Sequence, residues 1–391
     1  MRFTPYRHLP AVLWKRRPIQ LTFFVTRRCN ARCPFCFYLN GDGRDWHRGQ
    51  ELTLEEIRRI SHSFGSLLWL AFSGGEPYVR RDLAEIARVF YEQNRPAMML
   101  LPTNGLTPEL IRDRTEEILA RCPHSTVVVK LSLDGLNGDH DALRGTPGGF
   151  ERVMRSHRLL APLLDRYSNF ELGINTVLVS DNQDKMDQVI DFVRDLPGIR
   201  THTISLVRGN VAEPRYTEVD AASYQRAIER LKRELKEPGA ARYRFRGGRL
   251  KAAQDILQRQ LIHRTRAQQR RQIPCYAGRL NLVLTENGEV YPCEIRSETL
   301  GNVRECDYDV NRLLRGAASR SVLDSIRRGE CHCTHECYFI TNILFNPRLY
   351  PALVREYLEL GRSPRAWAGG AARPAEQPTT GPQPEQTLDP L

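Results

Sequence analysis

From Ile19 the chain alternates short apolar runs, rich in β-branched and aromatic residues, with longer amphipathic stretches, and the alternation repeats six times. The runs are "IQLTFFVT" (19–26), "LLWLAFS" (67–73), "AMMLLPT" (97–103), "TVVVKLSL" (126–133), "FELGINTVLV" (170–179) and "HTISLV" (202–207). Apolar runs of this length suit strands covered on both faces. Between them apolar residues recur at helical spacing. In "TLEEIRRISHSFG" Thr53 is placed to cap and Glu56 completes a capping box; in "TPELIRDRTEEILARC" Pro108 stands in the first turn. Six consecutive βα units predict an α/β fold with a parallel sheet under helices, curled as a barrel or left open.

Ligands of such sheets bind at the carboxyl ends of the strands, and there the polar and glycine-rich residues collect. "RRCNARCPFC" follows the first strand, "SGGEP" (73–77) the second, "TNG" (103–105) the third, and "SLDG" (132–135) closes the fourth. "TNG" alone is explained by turn formation. Cys29, Cys33 and Cys36, spaced C-x3-C-x2-C, are not. Three thiols are one short of a closed zinc site, whereas a cubane held by three cysteines keeps one iron open for another ligand.

With Phe35 before the last cysteine, this loop resembles the radical S-adenosylmethionine (SAM) superfamily over roughly residues 19 to 210. The resemblance implies a partial (βα)6 TIM-like barrel in which Cys29, Cys33 and Cys36 bind a [4Fe-4S] cluster. The open iron would chelate SAM, whose reductive cleavage gives a 5'-deoxyadenosyl radical that takes hydrogen from a substrate. Gly74, Gly75, Glu76 and Pro77 would cradle the methionine amino group. Ser132 and Arg144 match positions contacting the ribose and carboxylate, and Asn175, in "N-x-V", falls in the adenine region. An electron donor such as flavodoxin or ferredoxin is implied.

The second half differs in character. A helix is expected over 216–237, and residues 241–272 hold ten Lys or Arg against one acid, Asp255. Such a run is either a solvated helical face or a surface for an acidic ligand or membrane. "CYAGRLNLVLTENGEVYPC" reads as a hairpin turning at Asn287-Gly288 between Cys275 and Cys293, and "CHCTHEC" adds Cys331, Cys333 and Cys337. Together they resemble the SPASM or twitch auxiliary-cluster module, with fewer cysteines than the full form. That implies one auxiliary [4Fe-4S] held by Cys275, Cys293, Cys337 and either Cys333 or Cys331, although four thiolates also suit zinc. The expected organisation is a basic segment 1–18, the radical SAM core 19–210, a basic helical connector 211–272, a small C-terminal auxiliary-cluster domain 273–346, a helix 347–362, and a disordered tail 363–391.

Composition narrows the partners. The formal charge of +12 points to an anionic substrate, nucleic acid or lipid surface. The basic stretch carries only Tyr243 and Phe245 and no RNA-binding signature, so no nucleic acid is expected. No secretory h-region or run of 18 apolar residues occurs, so the ten cysteines are read as reduced and the protein as cytoplasmic. "HLPAVLWKRRP" near the N-terminus suits either the closed bottom of the barrel or peripheral contact with the inner membrane face. The substrate is expected to be a small metabolite or a phosphate-bearing lipid or sugar, ranked slightly ahead of a peptide, which stays open as the alternative. The rival reading is a non-catalytic iron-sulfur or zinc protein binding RNA or membrane through its basic face.

Overall fold

The computed structural model describes residues 2–39 and 50–361; the tail expected from 363 lies outside them. Six parallel strands, β1 (Gln20–Thr26), β2 (Trp69–Gly74), β3 (Met98–Thr103), β4 (Thr126–Ser132), β5 (Phe170–Leu178) and β6 (Thr201–Leu206), coincide within two residues with the six apolar runs. They curl as a partial barrel. The capping box at Thr53 forms: its Oγ1 accepts from the Glu56 amide at 3.2 Å while its own amide donates to Glu56 Oε2 at 2.8 Å.

The strands bury alternate residues on two faces, as the pleat requires. Leu70, Phe72, Met99, Leu101, Val127 and Val129 face the outer helices in the main core. Trp69, Ala71, Met98 and Val128 face inward, where the helix Glu336–Leu344 supplies Ile340. That helix is tied to the sheet by Gln20 Nε2, which donates to the Cys337 carbonyl at 3.0 Å, and by the Thr341 hydroxyl on Asn281 Oδ1 at 2.8 Å.

Three expectations change. The C-terminal hairpin does not close on a core of its own: β7 (Asn281–Leu284) pairs in parallel with β1, Gln20 opposite Asn281, and β8 (Glu289–Tyr291) and β9 (Gly301–Asn302) follow antiparallel. The sheet thus runs β6-β5-β4-β3-β2-β1-β7-β8-β9. The helix expected over 216–237 is Ala221–Lys236, because Pro214–Thr217 form a 3-10 turn and the Asp220 carboxylate caps the amides of Ala222 and Ser223. Most cations of 241–272 do not form a free basic face. Arg242, Arg244, Arg249, Arg259, Arg266 and Arg271 donate to main-chain carbonyls of Leu235, Phe170, Tyr357, His202, Thr217 and Cys331, and Lys251 pairs with Asp255. The charges serve as donors for carbonyls that the helical connector and barrel edge would otherwise leave unpaired. Among the described residues no helix is long and apolar enough to cross a membrane.

Candidate active site

β1 ends at Thr26, and the cysteine loop that follows is locked onto the loop after β2. Gly75 donates to the Thr26 carbonyl at 2.8 Å and Glu76 to the Arg28 carbonyl at 2.9 Å. A Cβ at Gly74, where φ is +116°, would lie 2.3 Å from the Thr26 oxygen; one at Gly75 would lie 2.2 Å from the Arg28 oxygen. The glycine pair is therefore required by close packing of two protein backbones, a reason the motif itself does not disclose.

Glu76 is fully buried and braces the mouth. Its carboxylate accepts from the Thr103 hydroxyl (2.8 Å), the Asn104 amide (2.7 Å) and the Tyr78 amide (3.2 Å). Burial raises its pKa to about 7 against those three donors. "TNG" is thus more than a turn: the Asn104 side chain also donates to Asn30 Oδ1 at 2.7 Å and approaches Cys29 Sγ at 3.8 Å.

Arg144 lies beside the second thiol. Its Nε donates to Asp134 Oδ2 at 2.6 Å, Nη1 approaches Cys33 Sγ at 3.7 Å, and the guanidinium stands 5.7 Å from the Phe35 ring centroid. Burial alone would discourage its charge, but Asp134 and Cys33 outweigh it and the pKa rises. Asp134, wholly buried, is held in turn by the Val177 amide at 2.7 Å. Burial pushes the Cys33 thiol up to about 11, with Arg144 opposing, and also raises Cys29.

Cys29, Cys33, Cys36, Gly74, Gly75, Glu76, Pro77, Ser132, Arg144 and Asn175 all line one cavity of about 200 Å³. Sequence reasoning missed three residues here. Asp134 and Asn104 were hidden in turn-forming contexts. Arg208, just past β6, lines the same cavity, stacks 4.8 Å from the Phe37 ring and pairs with Glu294 (3.3 Å) and Glu336 (3.8 Å); no motif marks it.

The C-terminal cysteines form a second site. Cys275, Cys293, Cys331 and Cys333 line a tight cavity of about 50 Å³. Arg271 donates to Cys331 Sγ at 3.2 Å and the Arg296 amide to Cys293 Sγ at 3.4 Å. Burial raises Cys275 and Cys333 and pushes Cys293 up to about 12. Cys331 and Cys333, expected as alternatives, line this cavity together, whereas Cys337, expected as a ligand beside Cys275 and Cys293, is not among its lining residues. It sits in the first turn of Glu336–Leu344, which carries its thiol to the barrel side beside Glu294 and His335. His335 Nε2 lies 2.6 Å from Glu294. Burial would raise Glu294, yet His335 and Arg208 outweigh it and hold it at about 2. His332 is exposed and meets Gln269. Cys306 donates to the Val303 and Asp309 carbonyls in a turn, and Cys122 is buried core.

The donor sets fit clusters better than single ions. A tetrahedral zinc places its thiolates ~3.8 Å apart. Among the described residues the group of three donor atoms all within 4.8 Å of one another is Glu294, His335 and Cys337; neither cysteine set meets that limit. Wider spacing, with N–H groups aimed at sulfur, suits a polynuclear iron-sulfur centre.

A parallel partial barrel with three thiols at its mouth, a glycine-lined cavity beside them and a four-thiol annex describes a class of iron-sulfur radical enzymes. The family model of the Radical SAM superfamily matches residues 23–193. The chain is 28% identical over 303 residues to the AdoMet-dependent heme synthase of Methanosarcina barkeri, covering 74% of this chain and 80% of that protein. It is 32% identical over 151 residues to the Fe-coproporphyrin III synthase of the same organism, 37% of this chain and 32% of that one. The solved structure of anSMEcpe with bound AdoMet shares the fold at a TM-score of 0.56 and 18% identity, covering 87% of this chain and 100% of that chain. The chain belongs to the radical SAM superfamily. It is a radical SAM enzyme, which sets aside the non-catalytic reading and implies SAM and a [4Fe-4S] cluster.

Proposed function

We propose that this enzyme carries out radical chemistry on a carboxylate-bearing tetrapyrrole. The observation that carries the proposal is the cationic mouth. Arg27, Arg28 and Arg32 line an open cavity of about 560 Å³ that shares Cys29, Cys33 and Leu39 with the inner one. Arg28 pairs with Glu51 at 3.5 Å and Arg32 Nη1 donates to the Cys29 and Ala31 carbonyls, yet both side chains stay exposed at this wide entrance, which suits a flat ligand with several carboxylates. The two Methanosarcina relatives are named for heme and Fe-coproporphyrin III, which agrees with that chemistry.

Cys29, Cys33 and Cys36 would hold the [4Fe-4S] cluster with one iron left for SAM. Bound together, cluster and SAM supply one-electron chemistry that removes a hydrogen atom from carbon. The chain's part is to position. Asp134 fixes Arg144 beside Cys33, where its cation can receive the SAM carboxylate. The Gly74–Pro77 main chain, Ser132 and Asn175 line the remaining space for SAM, and Glu76 keeps the loops after β2 and β3 together. Cys275, Cys293, Cys331 and Cys333 would hold the auxiliary [4Fe-4S], and Arg208 joins the two regions. A small carrier such as flavodoxin or ferredoxin would deliver the electrons.

The test is anaerobic turnover of the reconstituted, dithionite-reduced enzyme with and without iron coproporphyrin III. Formation of 5'-deoxyadenosine should rise several-fold above the substrate-free rate, with a new porphyrin product. An unchanged rate, together with no shift in the porphyrin absorption on mixing, would overturn the substrate assignment while leaving the family intact.

A further inference from the structure

The floor of the barrel carries a surface that the chemistry at the mouth does not use. Of the eight large hydrophobic side chains exposed among the described residues, seven lie on two short elements: Tyr6, Leu9, Leu13 and Trp14 on or just after the 3-10 helix Pro5–Val12, and Val354, Tyr357 and Leu358 on the helix Tyr350–Glu359. The exposures are large: 74% for Leu13, 70% for Leu358, 63% for Trp14 and 60% for Leu9. Core packing does not account for them, and so many on one face exceeds the usual scatter of surface apolar residues.

The two elements border one face. At one end Arg246 stands 5.8 Å from the Tyr6 ring centroid, and Arg249, three residues on, stands 4.6 Å from that of Tyr357. At the other end Lys15 lies 4.9 Å from the ring centroid of Tyr276, which neighbours Arg348 and Tyr350. Ala11 and Val12 pack on Ile19, Leu68 and Leu280, the residues just before or at the starts of β1, β2 and β7, so the face lies opposite the cysteine mouth.

Its charge is mainly basic. Residues 1–19 contain five Lys or Arg and no acid. On the helix Tyr350–Glu359 both acids pair with Lys236, and Arg355, 3.9 Å from Glu356, keeps its side chain 67% exposed. Apolar side chains flanked by cations match the boundary between anionic headgroups and acyl chains. A second copy is a poorer match, since it would set Lys15, Arg16 and Arg17 near their own equivalents.

We propose that this face docks the enzyme on an anionic lipid surface, with Leu9, Leu13, Trp14 and Leu358 entering the interface and the basic residues meeting headgroups. Docked in this way, the catalytic mouth faces away from the lipid, so the contact places the enzyme on a membrane without routing substrate through it.

Full-length, anaerobically reconstituted protein is mixed with vesicles of phosphatidylcholine alone and with about 30 mol% phosphatidylglycerol, and the bound fraction is read by cosedimentation. Binding is expected only with the anionic lipid, and should weaken about tenfold between low and ~0.5 M salt. The double variant Leu13→Glu/Trp14→Glu should lose binding by a further factor of about ten, with Leu358→Glu intermediate and 5'-deoxyadenosine formation unchanged in all. Absence of binding to anionic vesicles would overturn the proposal. So would binding undiminished in the double variant, which would mean diffuse charge attraction, or a concentration-dependent dimer abolished by that variant, which would make the face an interface between copies.

Discussion

The two cysteine sites are built on opposite plans. Cys29, Cys33 and Cys36 fall within eight residues of one loop, held from outside by glycine packing, by Asn104 and by Arg144, and they open on a cavity of about 200 Å³. Cys275, Cys293, Cys331 and Cys333 come from three separate segments and close around about 50 Å³. A local triad beside space suits a centre that exchanges a ligand, whereas a distributed tetrad suits one that holds its coordination fixed. The first site is one short segment held by neighbouring loops; the second joins segments far apart in sequence.

The strongest way to break this contrast is Cys33→Ala. It should abolish 5'-deoxyadenosine formation, measured by chromatography of the reduced enzyme, while the annex retains its iron. Activity above a tenth of wild type would remove the triad from the chemistry. Next comes a paired measurement. Cys293→Ala should lower iron by roughly half, one of two similar clusters, and still cleave SAM; Cys337→Ala should leave iron near the wild-type content, because that thiol faces Glu294 and not the tetrad. Equal iron loss in both variants would restore Cys337 as a ligand.

A smaller effect is expected from Asp134→Asn, which keeps shape but removes the charge orienting Arg144. SAM affinity, read by equilibrium dialysis, should fall about tenfold, or ~1.4 kcal/mol, without loss of iron. An unchanged Kd would make the pair purely structural. The smallest concerns Glu76 in the cluster-free protein. Its folded pKa of about 7 lies above the ordinary glutamate value of 4.5, so the folded state holds its proton after the unfolded state has released it. Stability should therefore fall as pH rises from about 4.5 to 7, by ~3 kcal/mol in all, and level off above. Glu76→Gln should flatten that part of the difference in denaturant midpoints; a parallel slope would show that Glu76 does not titrate there.

The barrel was legible because a parallel strand covered on both faces writes itself as an unbroken apolar run. The triad was legible because its ligands are adjacent in sequence. The tetrad was only half legible: C-x-C-x3-C does not state where the helix Glu336–Leu344 begins, and its first turn decides that Cys337 points away. Asp134, Asn104 and Arg208 were invisible for a related reason, since each acts through a partner remote in sequence. The basic connector misled because composition counts charges but not the carbonyls that receive them.

The placement of β7 beside β1 has a bearing on how the protein is made. β2 emerges from the ribosome soon after β1, but the other edge of β1 is completed only by a segment beginning at Asn281. At roughly 10 residues per second, that edge waits about half a minute during synthesis. Through this interval the nascent barrel presents an unpaired strand edge, the feature most prone to join a neighbouring chain. A chain truncated before the hairpin keeps that edge permanently, so a fragment ending with the six-stranded core should aggregate where the full-length product does not.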